Sequence, residues 1–172
     1  MNRSRHPRAA AGMTLVEVTM VLLVLAIAAA MVAPLMGSTA ASQLRSAAAM
    51  LVADLDAARL QSLTRGHDRY VVVFDMDANG YHLARASDPA KAVTHPVDAG
   101  PYVVRFGHGR AATLADVQIT DVQSPAGDDA IAFGAFGQLT SDTPAIITLT
   151  ADGGSLTITL DAVTGEATIS DL

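Results

Sequence analysis

Residues 18–36 carry no charge and a single hydroxyl, Thr19, so they cannot cover the surface of a water-soluble domain. As a helix the stretch reaches about 28 Å, the thickness of a bilayer's hydrocarbon core. Its flanks are asymmetric. Arg3, Arg5 and Arg8 precede it, and between Glu17 and Arg45 no charged residue occurs. A basic flank of this kind stays cytoplasmic, so the C-terminal bulk is expected to be exported.

Beyond Pro34, which is expected to kink or loosen the helix over residues 34–38, the periodicity changes. Leu44, Ala48, Leu51, Leu55, Ala58 and Ser62 recur at steps of four and three, while Arg45, Asp54, Asp56 and Arg59 are placed off that stripe. This predicts an amphipathic helix ending near Arg65, with Gly66 as its cap. After it the chain reads as short strands over residues 70–74, 81–85, 102–106, 117–122, 130–133, 145–150, 156–160 and 167–169. Asn79-Gly80 signals a hairpin, and turns at residues 152–155 and 164–165 make the last three strands a meander. Residues 86–101, rich in Pro, Ala and Asp, are expected to form a long loop. The fold class is therefore α+β: a long N-terminal helix whose second half packs on an antiparallel sheet.

The motif at the start of the apolar stretch is GMTLVE, residues 12–17. It resembles the prepilin signature, a Gly followed by a hydrophobic residue, Thr-Leu-x-Glu and an apolar helix; Met13 stands where Phe is commoner. The resemblance implies cleavage after Gly12 by a prepilin peptidase, N-methylation of the new first residue Met13, and pairing of Glu17 with the Met13 amine of a neighbouring subunit. The implied parts are a cleaved cytoplasmic leader (1–12), a transmembrane helix (13–36), an amphipathic helix (37–66) and an exported β domain (67–172). A carboxylate at the edge of a membrane helix needs a partner, because entering the apolar layer costs about 2.5–3.5 kcal/mol. An ordinary secretory signal, cut after small residues such as Ala28-Ala29-Ala30, explains neither Gly12 nor Glu17.

The runs LVADLDAAR (51–59), IAFGAFGQL (131–139), ITLT (147–150), LTIT (156–159) and TGEATI (164–169) resemble the GspH/FimT group of minor pseudopilins. That likeness implies a single-pass protein of the bacterial inner membrane with a periplasmic domain. Its implied role is a structural subunit of the type II secretion pseudopilus, assembling with other pseudopilins or pilins and touching secreted cargo. The alternatives are a minor pilin of a type IV pilus or competence system and a signal-peptide-bearing periplasmic domain of another activity.

Other chemistry has little to rest on. With no cysteine there is neither a disulfide framework nor a thiolate site. Formal net charge is −6, and loss of a leader with three arginines and no acid takes it to −9, a surface that repels nucleic acid. Against that, only Arg105, His108 and Arg110 lie close together. Asp75, Asp77 and Asn79 before Gly80 match the opening of a calcium loop, but its twelfth position is Ala86 rather than a bidentate Glu. His67, His82, His95 and His108 lack ligand spacing, and no nucleophile has an identifiable base, so no metal, cofactor or enzymatic activity is expected.

Overall fold

The computed structural model describes residues 14–32, 39–65, 68–97, 99–124, 127 and 129–171. Contacts divide it into two compact units, residues 1–38 and 39–172.

In the first unit, α1 runs Leu15–Val32. From Thr14 to Ala28 every residue is exposed, including Leu15, Leu22, Leu23, Leu25 and Ile27. Thr19 donates its hydroxyl back to the Val16 carbonyl at 2.9 Å, so its polar group is satisfied inside the helix. Among the described residues no helix is long and apolar enough to cross a membrane. The end of the apolar stretch, with Pro34 and its expected kink, lies outside the described residues, as do Gly66 and His67.

In the second unit, α2 (Thr39–Arg65) lays Leu44, Ala47, Ala48, Leu51, Leu55 and Ala58 into the core. Two antiparallel sheets receive it. One holds β1 (Tyr70–Asp75), β2 (Gly80–Arg85), β3 (Asp88–Ala92), β4 (Val103–Arg105) and β6 (Ala130–Ala132), in the order β3-β2-β1-β6, with β4 also paired to β2. The other holds β5 (Gln118–Gln123), β7 (Ala145–Ala151), β8 (Gly154–Leu160) and β9 (Ala167–Asp171), in the order β5-β7-β8-β9. Alternation decides which side chains enter: Tyr70, Val72 and Phe74 from β1, Ile147 and Leu149 from β7, and Leu156, Ile158 and Leu160 from β8 join the core. The meander of the last three strands follows the predicted turns.

One expectation fails. Residues 86–101 are not a loop throughout, because β3 forms there and pairs with β2 through Ala84↔Ala92 and Arg85↔Asp88. Its residues are mostly exposed, so no apolar alternation marked it. The hairpin signalled by Asn79-Gly80 forms between β1 and β2 and closes through the four residues 76–79, since Asp75 pairs with Gly80. Gly80 also serves close approach, because the Val104 carbonyl occupies the place of a Cβ.

Candidate functional site

Of the three residues marked by the prepilin-like motif, Gly12 and Met13 lie outside the described residues. Glu17 is exposed in the first turn of α1. Its backbone N–H donates to Thr14 Oγ1 at 3.3 Å and to the Thr14 carbonyl at 3.0 Å, and Val18 N–H reaches the same carbonyl at 3.2 Å. Thr14 therefore caps α1 and Glu17 is its third residue, near the partly positive helix end that favours a carboxylate. Thr-x-x-Glu before an apolar run is a capping-box pattern legible in the sequence, yet the sequence reading used only its resemblance to the prepilin signature.

A polar cluster in the second unit escaped the sequence reading. Asp54, placed off the apolar stripe above, is in fact 5% exposed. It stands three residues after Leu51 and four before Ala58, on the same helical face, and that spacing was the available signal. Its carboxylate accepts hydrogen bonds from the Tyr81 hydroxyl at 2.7 Å and the Tyr102 hydroxyl at 2.7 Å, and Arg110 Nη2 forms an ion pair with it. The Arg110 guanidinium lies 4.7 Å from the centre of the Tyr102 ring, and its Nη1 is 3.2 Å from His95 Nε2. Four segments thereby meet on one buried carboxylate. Burial, then the charge and hydrogen bond of Asp54, raise the Tyr81 pKa well above the ordinary tyrosine value. Tyr102 is raised by burial and by its own hydrogen bond to Asp54. The cluster fastens α2 to the first sheet and to the segment carrying Arg110.

The remaining sequence candidates are dispersed. Asn79 donates from Nδ2 to the Val117 carbonyl at 2.8 Å and accepts from Ile119 N–H at 2.9 Å, so its amide bridges the two sheets and is not turned toward a cation. Asp75 Oδ1 accepts from Ala78 N–H at 2.9 Å, closing the same turn. Among the described residues no cluster of metal-ligating side chains is present. Arg110, one of the three close basic residues, is committed to Asp54. His82 contacts the Pro89 carbonyl and His108 the Phe106 carbonyl, away from one another's partners. An apolar groove of about 380 Å³ on the outer face of the first sheet is lined by Val71, Val73, Pro89, Ile131 and Leu139, with no histidine beside its Ser124.

No protein-family model matches the sequence, and no curated protein does. Solved structures do. The minor pseudopilin EpsH from the type 2 secretion system of Vibrio cholerae superimposes with a TM-score of 0.54 at 14% identity, over 75% of this chain and 97% of that one. The type IV minor pilin FimU of Pseudomonas aeruginosa PAO1 superimposes with a TM-score of 0.51 at 15% identity, over 76% of this chain and 89% of that one. The chain has the α+β type IV pilin-like fold, in the form found in a minor pilin and a minor pseudopilin.

Proposed function

We propose that the chain is a minor pseudopilin, a non-enzymatic structural subunit of a type II secretion pseudopilus. On this reading a prepilin peptidase cuts after Gly12 and Met13 is N-methylated. The apolar helix anchors the protein in the inner membrane, N-terminus in the cytoplasm and β domain in the periplasm. There it assembles with other pseudopilins and meets secreted cargo. The observation that carries the reading is one combination in one chain: GMTLVE opening an exposed apolar helix, followed by a domain that superimposes on EpsH over 97% of that protein's chain. Glu17 supports it further, as an exposed carboxylate with no ion pair among the described residues.

The test is the intact mass of protein extracted from membranes. A mature chain beginning at methylated Met13 is the expected result, and a start near Val32 or Pro34 overturns it in favour of secretory cleavage. A second reading, a minor pilin of a type IV pilus or competence system, is favoured by the superposition on FimU. Deleting the gene separates them: loss of exoprotein secretion with pili retained supports the first, and loss of pili with secretion retained supports the second.

A further inference from the structure

A sheet ends on strands whose outer N–H and C=O groups lack a neighbour, and folded proteins blunt such edges. Among the described residues every edge but one is blunted. β3 carries Pro89 and Lys91. β4 and β6 span three residues each, and on β6 the Ser124 hydroxyl and the Thr140 N–H take the Ala130 and Ala132 carbonyls at 2.5 and 3.1 Å. β5 is bulged between Ile119 and Asp121, and the Asn79 side chain takes the Ile119 N–H. β9 has no Pro and no register shift, and its one charge, Asp171, is its last residue.

The phase of that open edge is fixed. Asp161 N–H donates to the Glu166 carbonyl at 3.0 Å, so in the β8–β9 register Thr168 and Ser170 bond to β8. Ala167, Ile169 and Asp171 turn their N–H and C=O outward, where no strand of the described residues receives them. Ile169, on the same face as the core-packed Ala167, is 46% exposed. The edge also has a cation at its start. Gly137 and Gly165, both at positive φ, bring their backbones against the Arg59 side chain, and Gly165 is two residues before Ala167. Arg59 Nε is buried without a partner, and Arg59 has no ion pair among the described residues. The nearby acids are engaged or turned away: Asp161 accepts from Val163 and Thr164, and Glu166 alternates onto the face of Thr168 and Ser170.

We infer that the β9 edge binds the C-terminal segment of another exported polypeptide as an added antiparallel strand, its terminal carboxylate on Arg59 and alternate apolar side chains beside Ile169. A strand laid antiparallel on β9 begins beside Asp171 and ends beside Ala167, so its carboxylate arrives at the unpaired guanidinium. A second copy fits poorly. Its own C-terminal segment is β9, already paired to β8. β8 starts at Gly154, packed on Leu44, and ends before Gly165, packed on Arg59, so β9 runs against α2. Pairing β9 with the same strand of a second copy about a two-fold axis would therefore set the two α2 helices in opposite directions, against a common membrane anchor. The inference rests, in this choice of partner, on the reading of the chain as an anchored and exported subunit.

The probe is a fluorescein-labelled octapeptide of alternating Thr and Val ending in a free Val carboxylate, titrated by anisotropy against full-length protein in detergent micelles. Saturable binding is expected, about tenfold weaker for the C-terminal amide and for Arg59→Gln. N-methylation of the peptide at one set of alternate residues should weaken binding about tenfold and at the other set leave it unchanged, with no change to the protein. Ile169→Pro removes an outward N–H, so unfolding should stay cooperative while binding is lost. No binding at millimolar peptide, equal binding of the two N-methylated peptides, or an amide that binds as well as the acid overturns the inference. So do dimers in micelles that Ile169→Pro abolishes, since a second copy then occupies the edge. Absent binding with the Met13 start intact removes this edge only, whereas an N-terminus near Val32 removes the underlying reading.

Discussion

The Tyr102 hydroxyl donates to Asp54 Oδ1 at 2.7 Å across 48 residues of sequence, and Tyr81 does the same to the other carboxylate oxygen. A helix charge therefore joins the apolar stripe beside it in closing the domain. Replacing Asp54 by Ala leaves the partly exposed Arg110 without its anion and two buried hydroxyls without their acceptor. Each buried hydroxyl left without its acceptor costs about 1–3 kcal/mol, and a loss of that order is expected in urea or thermal unfolding. Asp54→Asn keeps one acceptor oxygen and should cost less. Equal stability of the parent and both variants would show that the cluster adds nothing.

The same geometry sets behaviour in alkali. Tyr81 and Tyr102 have folded-state pKa values above the ordinary one, chiefly through burial, so folding favours the protonated phenols. Their contribution to stability is complete below the unfolded-state value of about 10 and is lost as pH rises through the folded values. Unfolding free energy should decline above pH ~10, and Tyr81→Phe should flatten the decline. Ultraviolet titration of phenolate absorbance in the folded protein checks the assignment, since both rings should ionise above the ordinary tyrosine range, Tyr81 further above it than Tyr102, or on unfolding.

Leu51 and Leu55 are essentially inaccessible, packed among strands of both sheets. Each Leu→Ala change should cost about 2–5 kcal/mol, the range for cavities in a core that cannot collapse fully. Losses below about 0.5 kcal/mol at both sites in denaturant unfolding would mean that α2 does not pack there.

Asn79 separates backbone strain from bridging. Its φ of 48° lies in the left-handed region, while its amide ties the β1–β2 hairpin to the chain at Val117 and Ile119. Asn79→Gly relieves the φ and loses the bridge. Asn79→Ala loses the bridge and keeps the strain. Both should destabilise, Ala more than Gly by about 1 kcal/mol; a Gly variant more stable than the parent would show that the bridge is worth less than the strain.

How far the fold was legible follows from these particulars. β7 and β8 announce themselves through strict alternation, Ala145-Ile147-Leu149-Ala151 against Leu156-Ile158-Leu160, because one face of each is buried and the other half-solvated. β3 has no such face, and Asp88, Pro89 and Lys91 look like loop residues because water reaches them. Asp54 was misplaced for a different reason. Its position on the helix was readable, but a carboxylate is normally assigned to solvent, and its three partners come from residues 81–110, a pairing that local pattern cannot reveal. The prepilin-like motif was legible as a motif, and its capping box lay in the same four letters, Thr14 to Glu17.

Glu17 supplies the last prediction. It is the only charge between Arg8 and Arg45, it sits in the first turn of α1, and its backbone is capped by Thr14. If its carboxylate meets the Met13 amine of a neighbour, that pairing offsets a penalty which the isolated subunit bears at the membrane edge. Glu17→Val removes the penalty and leaves Thr14 able to accept the backbone bond from residue 17, so insertion and cleavage after Gly12 should proceed as in the parent. Entry into the assembled pseudopilus should fail, because the attraction that sets register is gone. The measurement is co-purification with partner subunits in membranes beside the intact mass of the mature chain. Normal cleavage with at least tenfold lower co-purification is the expected outcome, while undiminished co-purification shows that Glu17 has no part in assembly.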